Sequence, residues 1–139
     1  MTLTRDAILA ADDLPRERVE VPEWGGEVYL RAMTGTEREA YEGLIADREK
    51  AGPKGAGMSA VELLCELVAR TACDELGLLL FEPADIPALK TRNAAVLVRL
   101  SEQAMRMNRL TEMDIKDLEK NSAGGPSDDS TSASPSSAG

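Results

Sequence analysis

Apolar residues recur along this chain with two different periods, and the change of period marks its elements. Residues 4–11 repeat helically, with Thr4 placed to cap a short helix that Asp12, Asp13 and Pro15 end. The period then drops to two. Val19 and Val21 alternate with Arg18 and Glu20, and Val28 and Leu30 alternate with Glu27, Tyr29 and Arg31. Two alternating runs around Gly25-Gly26 predict a β-hairpin whose valine and leucine face lies on a core. Trp24 falls at the turn, where it is either a latch or an exposed contact.

From Thr34 onward the pattern is helical. Thr34-Gly35-Thr36-Glu37 is a capping box, predicting a helix to about residue 50 with Tyr41, Leu44 and Ile45 inward and Arg38 and Glu42 paired outside. The glycines and proline of residues 52–57 read as a loop. Ser59-Ala60-Val61-Glu62 is a second capping box. Val61, Leu64, Cys65, Val68 and Ala72 form the stripe of its helix, and Glu66 and Arg70 pair along it. Gly77 closes that region, and residues 78–81 are either a short extended segment or a buried turn. Pro83 opens one helical turn reaching Leu89. Thr91 is placed to cap a longer helix from Arg92 to about Met107, with Ala94, Leu97, Val98, Leu100, Ala104, Met105 and Met107 on its apolar face and Asn108 at its end. Thr111 then caps a last short helix, with Asp114 in the box position and Glu112 pairing with Lys116.

The sum is an α+β chain, mostly α: a short N-terminal helix and a β-hairpin, then a small bundle of helices. Residues 121–139 break the pattern. They are Ser, Gly, Pro, Ala, Thr and Asp after the opening Asn, without a large apolar side chain, so they cannot bury enough surface to offset ordering entropy. The expected organisation is one folded domain over residues 1–120 and a disordered tail over 121–139.

Composition narrows the chemistry. The chain has 139 residues and no histidine, which removes Ser-His-Asp and Cys-His catalysis and leaves only Cys65 and Cys73 as soft metal ligands. Those two lie about 12 Å apart along the predicted helix at ~1.5 Å per residue, too far for a disulfide. They read as small buried apolar residues. The 25 acidic residues against 16 basic ones, a net charge of -9, oppose nucleic-acid binding. The longest apolar runs, 78–81 and 94–98, are far short of a membrane span, and no long apolar stretch follows Arg5 and Asp6 to make a secretory signal. Reduced thiols without an export signal point to the cytoplasm.

Candidate sites weigh against catalysis. The loop before Ser59 superficially resembles a phosphate loop, but Lys54 precedes most of its glycines and no apolar strand leads in. The adjacent carboxylates at Asp12-Asp13, Asp74-Glu75 and Asp128-Asp129 read as solvated turn residues. No cofactor, metal site or nucleophile–base pair emerges, so an enzyme ranks last among the readings. Methionine offers a different signal. Met105, Met107 and Met113 cluster with Leu110 and Ile115, and flexible thioether side chains suit a surface for varied apolar partners as well as they suit an aromatic-poor core. The partner-binding candidates are therefore Trp24 and Tyr29 on the hairpin, and Met105, Met107, Leu110, Met113 and Ile115 toward the C-terminal end.

The order of segments carries a resemblance. TRDAILAADDL at residues 4–14 is followed by VEVPEWGGEVYLRAMTGTEREAYE, then by DELGLLLFEPADIPAL and RMNRLTEMDIKDLEKN. This resembles the tail assembly chaperones of long-tailed bacteriophages, most specifically through VEVPEWGG-x-V-x-L-R-x-M-TG-x-ER. Phe81, Asp85 and Leu89, and Asn108, Leu110, Thr111 and Glu112, support it. Two departures stand out: residues 50–57 look like an insertion, and Leu78-Leu79 occupy positions where polar residues are more usual.

The resemblance implies a non-catalytic role in tail morphogenesis. Such a protein binds the tape measure protein, keeps it soluble and helps recruit major tail protein. It works in the host cytoplasm and is absent from the finished virion. Many are made in two forms, the longer by programmed ribosomal frameshift, and a folded domain followed by a polar tail fits the short form. The longer form would carry the contact with major tail protein. Self-association also fits a protein that coats a long chain, although no heptad pattern demands it. A structural neck or connector component of the virion is the alternative.

Overall fold

A computed structural model of the chain describes residues 1–52 and 57–110. The predicted last helix from Thr111, with Met113 and Ile115, the tail at 121–139 and most of the glycine-rich loop lie outside the described residues. The chain divides after Ala104, and of the second unit, Met105–Gly139, the described part ends at Leu110.

The first unit is α+β and mostly helical. Helix α1 (Arg5–Ala10) starts where the Thr4 hydroxyl accepts the Ala7 amide at 3.1 Å. None of its residues is buried. Strands β1 (Arg16–Val21) and β2 (Gly26–Arg31) form the expected antiparallel hairpin, with Val19 opposite Val28 and Val21 opposite Gly26. The reversal itself is a 3-10 turn, Pro22–Trp24, and Gly25 alone takes the left-handed conformation (φ 76°) that lets the chain re-enter the sheet. Gly26 is already strand. Val21 and Leu30 on the inner face are fully buried; Val19 and Val28 are half-buried.

Both capping boxes form. Thr34 and Glu37 start α2 (Gly35–Ala51), and Ser59 and Glu62 start α3 (Ala60–Thr71). Glu37 has a second task. One carboxylate oxygen takes the Thr34 amide at 2.9 Å while the other holds the buried Arg31 guanidinium at 2.8 Å, which ties the end of β2 to the start of α2. Tyr41 and Ile45 face inward from α2, as the pattern predicts, and Arg38 pairs with Glu42 at 2.9 Å.

Helix α3 departs from its predicted stripe. Val61 is exposed and Leu64 half-buried, whereas Leu67, Ala69 and Thr71 join Cys65 and Val68 in the interior. This helix meets α2, β2 and the later helix α4, so more than one face is covered. Thr71 is tolerated there because its hydroxyl donates to the Leu67 carbonyl at 2.8 Å. Fully burying a leucine such as Leu67 stabilises the fold by about 1.5–3 kcal/mol.

The helix also ends one turn earlier than expected. Ala72–Cys73 form strand β3, which pairs antiparallel with β2 through Leu30–Ala72 and Tyr29–Cys73 to complete a three-stranded sheet of order β1-β2-β3. Cys65 and Cys73 are therefore not on one helix. Both are buried and unpaired, and burial raises both thiols above their ordinary pKa, which disfavours the reactive thiolate. Residues 78–80 resolve as extended chain bridged to Cys73, and they are exposed, not a buried turn.

A 3-10 turn (Pro83–Asp85) leads into the single turn α4 (Ile86–Leu89). Helix α5 runs over Ala94–Met107. It starts two residues later than predicted because the Thr91 hydroxyl is spent on the Ala88 carbonyl; Asn93 caps instead, accepting the Ala95 amide at 2.9 Å. Its buried face holds Val96, Leu97, Leu100, Ser101 and Ala104, while Ala94 and Val98 face solvent.

In the second unit the helix end is a Schellman closure. The Leu110 amide donates to the Met105 carbonyl at 2.6 Å and the Arg109 amide to Arg106 at 3.2 Å, with Arg109 left-handed at φ 58°. Asn108 is thus the cap, as the sequence predicts.

Candidate partner-binding groove

The hairpin turn, residues 80–81 and the α4–α5 connection enclose an open groove of about 790 Å³ within the first unit. Its apolar lining comes from Trp24, Leu80, Phe81, Ala88 and Leu89; its polar lining is Glu23, Asp85, Thr91 and Arg92. Each wall is held by an identifiable contact. On the hairpin side, Glu23 receives both terminal nitrogens of Arg99 at 2.9 Å, a bidentate pair that fastens the 3-10 turn to α5. These hydrogen bonds from Arg99 hold the Glu23 carboxyl down at about 2. On the opposite side, Asp85 accepts the Glu82 amide at 2.8 Å and sets the start of the α4 turn.

Several polar groups of the lining are engaged within the fold. The Thr91 hydroxyl is committed to the Ala88 carbonyl, Glu23 is committed to Arg99, and no cluster of three potential metal ligands occurs among the described residues. No helix among them is long and apolar enough to cross a membrane. What the groove offers a ligand is apolar surface with a guanidinium, that of Arg92, which donates to the neighbouring Thr91 hydroxyl at 3.3 Å.

Of the residues singled out from sequence, Trp24 lines this groove and is half-buried. Tyr29 lies on β2, half-buried, opposite Arg18 and Cys73 in register, and is not part of the lining. Met105, Met107 and Leu110 belong to the second unit; the two methionines are half-buried and Leu110 is 0% exposed. Met113 and Ile115 lie outside the described residues. The lining residues that sequence reasoning passed over are Leu80, Phe81 and Leu89. For Leu80 and Phe81 the signal was present in the apolar run after Gly77, and in Leu78-Leu79 standing where polar residues are usual.

The family described as phage tail assembly chaperone matches residues 4–121. The solved structure of the bacteriophage HK97 tail assembly chaperone is similar in fold, with a TM-score of 0.51 at 20% identity, covering 73% of this chain and 90% of that one. No curated protein matches the chain.

Proposed function

This chain belongs to the phage tail assembly chaperone family, and on that premise we propose that it binds the tape measure protein through the groove between the hairpin turn and α4. In this reading it keeps that long chain soluble in the host cytoplasm, helps recruit major tail protein through a frameshifted longer form, and leaves before the virion is complete. The role is non-catalytic. The observation that carries the proposal is the groove: an open apolar trough walled by Trp24 and Phe81, on a chain whose net charge of -9 keeps it soluble while bound. An apolar helix face laid in such a trough is a recurring mode of recognition.

The test is co-expression with the tape measure protein encoded in the same gene cluster. The tape measure is expected to become soluble and to copurify with this chain. Trp24→Ala, checked by thermal melting to be folded, is expected to lose most of the copurifying material. A tape measure that stays insoluble with either form of the chaperone overturns the proposal. Persistence of this chain in purified particles favours the structural neck or connector reading instead.

A further inference from the structure

The sheet has two edges, and only one is defended. On the far side of β3, residue 79 bridges Cys73: the Leu80 amide donates to the Ala72 carbonyl and the Asp74 amide to the Leu78 carbonyl, both at 3.0 Å. Residues 78–80 are thus the outermost rung of the sheet. Along an extended chain the backbone groups of successive residues point to opposite sides, so the N–H and C=O of Leu79 face away from β3. Neither group has a hydrogen-bond partner among the described residues. The side chains beside them are apolar and open to solvent: Leu78 is 63%, Leu79 36% and Leu80 47% exposed. The opposite edge, β1, carries charge at Arg16, Glu17, Arg18 and Glu20, the usual protection against strand addition.

We propose that residues 78–80 are a docking edge, with Leu79 exchanging two backbone hydrogen bonds with an extended partner segment in which apolar residues are flanked by Lys or Arg. The open backbone groups call for a strand rather than a helix. Charge selects the flanks. Glu75 and Glu82 bracket the segment, and neither forms an ion pair among the described residues. The same bracket disfavours a second copy. Antiparallel pairing of two such edges about Leu79 would bring Glu82 of each copy over Leu76 of the other and Glu75 over Pro83, crowding like charges. The edge is also held extended before anything binds. Asp74 accepts the Leu76 and Leu78 amides at 2.8 and 3.0 Å, Gly77 takes the left-handed turn (φ 89°), and Arg16 donates to the Glu75 carbonyl at 2.9 Å. Such preorganisation lowers the entropy lost on binding. This edge goes beyond the groove: the Leu80 side chain borders both, but the hydrogen bonds proposed here are made by the Leu79 backbone.

The experiment is an NMR titration of the full chain with the peptide Ac-KVTVTVK-NH2. Saturable binding is expected, with exchange of the Leu79 amide slowed tenfold or more. Methylating the peptide's backbone nitrogens is expected to abolish binding, and the peptide Ac-EVTVTVE-NH2 to bind more weakly at low salt. Leu79→Pro removes the outward donor together with the leucine side chain and is expected to weaken binding by at least about fivefold, the worth of one net hydrogen bond; retained protection of the Leu80 amide shows that this variant is folded. Trp24→Ala is expected to bind the peptide normally, which separates this edge from the groove. No saturable binding, binding that leaves Leu79 exchange unchanged, or equal affinity for the N-methylated peptide overturns the proposal. So does Leu79 protection that grows with protein concentration in the absence of peptide, since a second copy would then occupy the edge.

Discussion

The two hairpins of this sheet share a strand ladder and differ in nearly everything else. The first, β1–β2, wears charge on its outer face: Arg18 pairs with Glu20 and Glu27, and its turn is fastened to α5 through Glu23 and Arg99. Gln103 on α5 also donates to Glu17. The second, from β3 back to residue 80, wears leucine, and its turn is built from Asp74, backbone bonds and the Arg16 side chain on the Glu75 carbonyl. Equal propensity for extended structure therefore leads to opposite surfaces. One hairpin is closed to other chains by solvated charge, and the other is left open where leucines and unpaired backbone groups coincide.

The strongest way to break the comparison is at β2, the strand through which the first hairpin pairs with the second. Removing the partner of the buried Arg31 leaves a guanidinium with the Ala32 carbonyl at 3.1 Å, and an Nε that is already unpartnered. Glu37→Ala is therefore expected to lower stability by about 3 kcal/mol in urea unfolding. The double change Arg31→Met with Glu37→Met is expected to recover part of that loss, because no charge then remains buried.

Next in size is the second turn. Asp74→Ala deletes two side-chain hydrogen bonds to the backbone and is expected to cost about 1–2 kcal/mol. Its signature is local: faster exchange of the Leu80 amide, with the Ala32 amide, bonded to the Pro15 carbonyl at 3.0 Å, unchanged. If both amides exchange faster together, the two hairpins form one cooperative unit and the contrast between them is only skin-deep.

Acid should loosen the first turn. Hydrogen bonds from Arg99 hold Glu23 at about 2 against an ordinary 4.5, so the folded state prefers the carboxylate. The contribution is fully present above pH 4.5 and is lost as pH falls through about 2. Trp24 fluorescence is expected to change over that window, and Arg99→Gln is expected to move the midpoint up toward 4.5.

The smallest effect on stability belongs to the surface charges. Arg18→Val is expected to change stability by less than about 1 kcal/mol, since its pairs are exposed. Its consequence should appear in association instead. With Arg18 replaced, β1 loses the middle of its charge protection while Arg16, Glu17 and Glu20 remain, and sedimentation is expected to show weak self-association that the wild-type edge prevents.

Much of this molecule is legible from local chemistry. The Thr34 and Ser59 boxes, the Arg38–Glu42 pair and the alternation of Val19, Val21, Val28 and Leu30 all formed as read, because each depends on residues within one turn or one strand. The candidate site was legible in part. Trp24 stood out as a large side chain at a turn, while Leu80 and Phe81 lay in a run whose exposure no local rule decides.

What sequence alone determined, then, is where elements start, stop and alternate, since capping and periodicity are short-range. Only tertiary structure decided that Ala72 and Cys73 leave the helix for the sheet, because the strand they join, β2, lies more than forty residues earlier. It likewise decided that Leu67 and Val96 are buried while Val61 and Val98 are not, since that depends on which neighbours cover each helix. The leucines after Gly77 are the sharpest case. Their composition reads as core, but they form the last rung of a sheet with no neighbour among the described residues bonded beyond it, and so they face outward.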